Sequence, residues 1–291
     1  MNTTNCIEIR GLTKNFRKFR LGPLDLTVPR GAIYGFIGPN GAGKTTTIDL
    51  ILGMGAEDSG TITVLGNDHE TSAVAMKQQI GYVSPDLNYA AWRKIGNAIR
   101  FVKGFYPDWD ETYCSQLLKI FELSSSDSIS ALSFGSKIKL SLLLALAHRP
   151  ALLILDEPTV GLDAVTKRDL FSQLLALVED GEHTVFISSH SLSDIERFAD
   201  HLGMIKNGKL LIEGSTDEIV SRYSIIDFAG ESSGSIEKIP GLQILGRDLG
   251  RYRALVDRTR WVGEVAEKFG LKEISNSPVT LEDLFVSLAK N

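Results

Sequence analysis

The sequence predicts an α/β fold: a parallel sheet core, an antiparallel N-terminal subdomain, an inserted helical subdomain and a small C-terminal α+β extension. Three observations carry this reading. Ala32–Ile37, Leu152–Leu155 and Thr184–Ile187 are almost wholly apolar, the pattern of strands buried on both faces of a parallel sheet. Helical patterns separate these runs, as right-handed crossovers require. Ahead of them, Cys6-Ile7-Glu8-Ile9 and Leu24-Asp25-Leu26-Thr27-Val28 alternate apolar and polar residues, which fits half-exposed antiparallel strands.

Taken in order, the run Ala32–Ile37 leads straight into a glycine-rich turn and a helix from Lys44 to about Leu52, which Gly53 and Gly55 end. A strand over Thr61–Leu65, a helix and a short strand at Ile80–Val83 follow. From Pro85 to about His148 the pattern is mainly helical, broken at Pro107 and at the polar run Ser124–Ser128. A helix from about Ala164 to Glu179 joins the second and third buried strands. Beyond Tyr223 the character changes. Gly230–Gly234 reads as a connector, Tyr252–Val256 as a strand, and Arg260–Phe269 and Thr280–Ala289 as helices. The expected domains are therefore 1–222, with a helical part at about 86–150, and 223–291.

Composition narrows the function classes. Of 291 residues, 43% are hydrophobic, enough for a substantial core. The net charge of −5 argues against a nucleic-acid partner, which a basic surplus would favour. Cys6 and Cys114 lack metal-ligand spacing, and a reducing cytoplasmic setting follows. Met1–Cys6 has neither the basic start nor the apolar core of a secretory signal. The longest purely apolar run, Leu142–Ala147, is far short of the roughly 18 residues of a spanning helix. A membrane role would come through a partner.

Gly38-Pro39-Asn40-Gly41-Ala42-Gly43-Lys44-Thr45-Thr46 fits the phosphate-binding loop pattern between a buried strand and a helix, which makes the expected core a P-loop domain. Glycines let successive N–H groups turn inward around phosphate oxygens at a helix N-terminus. Lys44, on a loop expected to be polar and exposed, can reach the β- and γ-phosphates of ATP, and the Thr45 hydroxyl can ligate Mg²⁺. Leu152–Glu157 supplies the other half. An apolar strand ending in acids puts Asp156 at the carboxyl edge of the sheet, where it can serve Mg²⁺, and lets Glu157 take a proton from water. Alone, two acids at a strand end are an ordinary solvated terminus; paired with residues 38–46 they complete a site. His190, beyond the third buried strand, reads as a γ-phosphate contact that orients the attacking water.

Over about residues 6–222 the sequence resembles the ATP-binding cassette (ABC) family. Leu132-Ser133-Phe134-Gly135-Ser136 stands where that family carries its Leu-Ser-Gly-Gly-Gln signature, which touches the γ-phosphate of ATP held by a second cassette. The resemblance makes Ser133 and Gly135 its anchors. It also implies a loop crossing the interface at Gly161-Leu162-Asp163, and Phe16 as the ring that stacks on adenine, with Phe19 as the alternative. Two departures stand out. Phe134 and Ser136 replace a glycine and the glutamine, and Pro85 stands where the family places a glutamine that touches Mg²⁺ and relays nucleotide state. Asp86 is the candidate substitute.

Phe105–Asp110 and Leu281–Phe285 look like bacterial ABC exporters of drug or peptide type with separate membrane chains. The resemblance thus implies an ATPase on the inner face of the cell membrane. Its partners would be a transmembrane permease subunit and a second cassette, identical or paralogous. Two rivals stay open: a non-transport ABC protein, which would usually carry two cassettes or a long coiled coil, and a nucleotide sensor without useful turnover.

Overall fold

The computed structural model describes residues 5–68, 73–86, 88–230, 239–260 and 269–289. Their contacts divide the chain into two units, 1–212 and 213–291.

In the first unit, β1 (Asn5–Asn15), β2 (Arg20–Pro29), β4 (Ser59–Val64) and β5 (Asn67–Asp68) form a sheet in the order β2-β1-β4-β5. The alternation in β1 buries Ile7 and Ile9, and a register shift between Ile9 and Leu12 resets it so that Leu12 is buried as well.

The second sheet has the order β10-β9-β3-β8-β7-β6. It comprises β3 (Ile33–Ile37), β6 (Ile80–Val83), β7 (Leu152–Asp156), β8 (Thr184–Ser189), β9 (His201–Lys206) and β10 (Lys209–Ser215). The pairs β3/β8, β3/β9, β7/β8 and β6/β7 are parallel. Every residue of β3, β7 and β8 is buried, which explains their unbroken apolar runs. Phe186 of β8 stacks on Tyr34 of β3 at 5.5 Å between ring centroids. Each such buried ring or branched side chain contributes about 1.5–3 kcal/mol. One core cluster joins the two sheets through α1 (Lys44–Ile51), which inserts Ile48, Leu50 and Ile51.

The strands β9 and β10 escaped the sequence reading, although Asn207-Gly208 between them is a strong hairpin signal. The helical stretch resolves into α3 (Ile95–Lys103), α4 (Glu111–Ile120) and α5 (Phe134–Leu146), with short 3₁₀ turns at Ala90–Trp92 and Ile129–Ala131. The short helix α2 (Ala73–Lys77) precedes β6, α6 (Ala164–Val178) precedes β8, and the short α7 (Leu192–Ile195) follows it.

The second unit holds a four-stranded sheet ordered β12-β13-β11-β14, from β11 (Tyr223–Ala229), β12 (Leu242–Asp248), β13 (Arg251–Asp257) and β14 (Lys272–Pro278). The helix Leu281–Ala289 follows. The expected connector beyond Gly230 and the helix at 260–269 lie largely outside the described residues. The division between units falls at 212/213 rather than at the expected 222/223. The reason is that α8 (Thr216–Arg222) is fastened into the second unit, where Arg222 Nη2 lies 2.7 Å from Asp257 Oδ2.

That ion pair has a pH signature. Hydrogen bonding from Arg222, against the opposing effect of burial and with help from Thr259, holds the Asp257 carboxyl down at about 2. A depressed carboxylate stabilises the fold fully above its unfolded value near 3.8, and the contribution is lost as pH falls through about 2. Asp257→Asn should therefore destabilise this unit by about 1–2 kcal/mol at pH 7. Calorimetry at pH 7 and near pH 2 should show most of the difference from wild type lost in acid.

Candidate nucleotide site

The loop after β3 meets the ends of β7 and β8 at the carboxyl edge of the parallel sheet, with β8 lying between β3 and β7. Gly43 is the N-cap of α1 at φ 111°, a conformation that side chains disfavour, and no side chain caps the helix. The first turn holds no acidic residue. Its N–H groups and the helix dipole are therefore presented to an incoming anion.

Lys44 is buried, not exposed as the sequence reading expected, and is 5% accessible. Its ammonium donates to the carbonyl oxygens of Gly38 (2.7 Å) and Pro39 (3.2 Å) and pairs with Glu157 Oε1 at 2.9 Å. The other carboxylate oxygen, Oε2, lies 2.7 Å from His190 Nδ1. A carboxylate only accepts, so that nitrogen carries the proton. Lys44, Glu157 and His190 thus form one polar chain along the loop.

A second chain runs beside it. Thr45 Oγ1 donates to Asp156 Oδ2 at 2.8 Å, and Ser188 Oγ donates to Asp156 Oδ1 at 2.5 Å. The Glu157 N–H in turn donates to Ser188 Oγ at 3.0 Å. Glu157 sits at φ 49°, in the left-handed region, which turns the chain sharply after Asp156. Ser188 is fully buried between the two acids, and sequence reasoning missed it. Its signal was the polar pair Ser188-Ser189 closing an otherwise apolar strand. On α1, burial and then the charge of Asp156 raise the carboxyl of Asp49 above its ordinary range. Burial likewise raises the Tyr82 phenol at the end of β6.

A cavity of about 530 Å³ opens over this arrangement, lined by Asn40, Gly41, Gly43–Thr46 and Glu157 together with Lys18 and Phe19. Phe19 lines it and Phe16 does not. Phe16 stands beside Phe19, centroids 6.2 Å apart, with half of its surface exposed.

The remaining sequence-predicted residues lie elsewhere. Ser133 caps α5, accepting from the Ser136 N–H at 3.1 Å, and neither it nor Gly135 lines the cavity. Asp163 caps α6 through the N–H groups of Val165 (2.9 Å) and Thr166 (3.0 Å), and the Thr166 bonds hold its carboxyl below the usual range. Asp86 is exposed, with its N–H 3.3 Å from Ser84 Oγ, and none of its bonds among the described residues joins it to Thr45 or Asp156.

The family model described as ABC transporter matches residues 21–160. The ABC transporter ATP-binding protein YtrB of Bacillus subtilis is 32% identical over 97% of this chain and 97% of its own length. The chain belongs to the ABC transporter ATP-binding proteins. The bacitracin transport ATP-binding protein BcrA of Bacillus licheniformis is 33% identical over 76% of this cassette protein and 72% of its own. A solved ATP-binding subunit of an ABC transporter superposes on it with a TM-score of 0.65 at 26% identity, covering 74% of this chain and 92% of that one. The family hydrolyses ATP to power transport, and among the described residues no helix of this cassette protein is long and apolar enough to cross a membrane.

Proposed function

We propose that this chain holds ATP on residues 38–46, hydrolyses it with Glu157 as base, and so powers export through a separate transmembrane permease subunit. The observation that carries the proposal is the convergence of the Lys44–Glu157–His190 and Thr45–Asp156–Ser188 chains on the uncapped start of α1.

The polyphosphate of ATP, more negative than one carboxylate, draws the Lys44 ammonium away from Glu157 Oε1. That oxygen is then free to accept a proton from water, a contribution of about 10²- to 10⁴-fold in rate. His190, bonded to the opposite oxygen, fixes the carboxylate; contact with the γ-phosphate would need both of its ring nitrogens to act as donors. Thr45 and Asp156 suit Mg²⁺: both offer hard oxygen donors and lie side by side, and one carboxylate plus phosphate oxygens is the donor set this ion commonly takes. Bound there, Mg²⁺ would neutralise phosphate charge. Phe16, half-exposed next to the cavity-lining Phe19, is the ring offered to adenine, with Phe19 as the alternative. Ser133 and Gly135, which do not line this chain's own cavity, serve the nucleotide of a second cassette, with Asp163 in the crossing loop. The working unit would then stand on the inner face of the membrane, against the permease.

The transport named for BcrA supports the coupling to transport, and the local exporter-like segments support the direction. The apolar Pro85 and the exposed Asp86 favour a second reading, a sensor that binds ATP without turnover. The two separate in a steady-state assay: phosphate release by the purified chain should require Mg²⁺ and stop in EDTA. Nucleotide binding without Mg²⁺-dependent release would establish the sensor.

A further inference from the structure

Phe134 departs from the family pattern, and its surroundings give that departure a use. The ring is 44% exposed, and its covered side rests on Gly161. A Cβ built on Gly161 would stand 3.0 Å from Phe134 Cε1 and 3.3 Å from Cδ1, and Gly161 itself sits at φ +72°. The positive φ favours glycine at 161, and a Cβ there would press on the Phe134 ring. One residue on, a Cβ at Gly135 would lie 3.7 Å from Leu162 Cδ2 and 3.8 Å from Thr166 Cγ2. The start of α5 therefore lies on the loop 157–163 and on the first turn of α6.

That loop is a run of tight turns leading out of the site. The Val160 N–H donates to the Glu157 carbonyl at 3.3 Å, and the Leu162 N–H to the Thr159 carbonyl at 3.2 Å. Its far end is pinned by the Asp163 cap on α6, and its near end by the Glu157 N–H on Ser188. Between these anchors both turn bonds are long, and Val160 is 40% exposed. The Phe134 ring covers the middle of the loop, four positions along from a glutamate held in a strained backbone conformation.

We infer that Phe134 is a positioning residue for Glu157: by seating on Gly161 it holds the loop 157–163 in the one arrangement that keeps the carboxylate on Lys44 and His190. The inference rests on the reading of Glu157 as the base. A glycine or alanine at 134 would leave Gly161 uncovered and let the loop sample other conformations, which lowers turnover without loosening the phosphate loop.

The test is Phe134→Ala with Phe134→Tyr as rescue, read in two ways. Hydrogen exchange needs no nucleotide. The amides of Val160 and Leu162 should exchange at least about tenfold faster in Phe134→Ala and return to wild type in Phe134→Tyr, with the amides of α1 unchanged. In ATP hydrolysis, kcat should fall about tenfold with KM within about twofold, again rescued by Tyr. In a Glu157→Gln background Phe134→Ala should cost less than about twofold more, because both act through one group. Unchanged exchange, or faster exchange with unchanged kcat, would overturn the inference. So would a rise in kcat, which would make the ring an obstruction. A wild type without turnover would overturn the hydrolysis reading and the catalytic half of this one, and the exchange contrast would tell the two failures apart.

Discussion

Replacing Glu157 by Gln is expected to slow ATP hydrolysis by about 10²- to 10⁴-fold while nucleotide affinity stays within a few-fold of wild type. Gln nearly matches Glu in size, and its amide oxygen can still accept from His190 Nδ1, now 2.7 Å from Glu157 Oε2. What is lost is the negative charge that accepts a proton from water. The backbone position is unchanged, because the Glu157 N–H bond to Ser188 does not involve the side chain. With hydrolysis blocked, a sandwich of two chains around ATP should stay closed, and the variant should elute from gel filtration as an ATP-dependent dimer. Adding a bulky residue at Ser133 should return it to monomer. A variant that remains monomeric and hydrolyses at the wild-type rate would contradict both the base assignment and the two-chain site.

Lys44→Ala is expected to weaken ATP binding by at least about 100-fold, the scale of one or two charge-assisted hydrogen bonds to phosphate. The burial of Lys44 adds a second effect. Its removal strips partners from Glu157 Oε1 and from the carbonyls of Gly38 and Pro39, so a stability loss of about 1–3 kcal/mol accompanies the loss of binding. Titration of a fluorescent ATP analogue, beside a circular dichroism melt, separates the two. Unchanged affinity in a folded variant would place the phosphate site elsewhere.

What the sequence made legible was what is contiguous in it. Residues 38–46 form one loop, and Leu152–Glu157 form one strand and its end, so residue types and local periodicity were enough to pair them. The buried strands β3, β7 and β8 were readable because burial on both faces leaves no polar alternation. Contacts made across long stretches of chain were not readable. Ser188 gains its role only because β8 lies against β7, and Lys44 meets Glu157 only because the phosphate loop folds against the end of β7. The ring of Phe134 finds Gly161 across 27 residues, with no local pattern to announce it. The boundary at 212 was hidden because Arg222 and Asp257, 35 residues apart in the sequence, meet only in the folded unit.

Chemistry at this site is tested most directly in a single turnover. The chain, in excess, is mixed rapidly with a small amount of ATP and Mg²⁺, quenched at intervals, and its nucleotide extracted. Wild type should convert ATP to ADP in one exponential phase, Glu157→Gln should retain ATP over the same period, and Lys44→Ala should form no complex. ADP appearing at equal rates in wild type and Glu157→Gln, or ATP persisting unchanged in wild type, would contradict hydrolysis by Glu157.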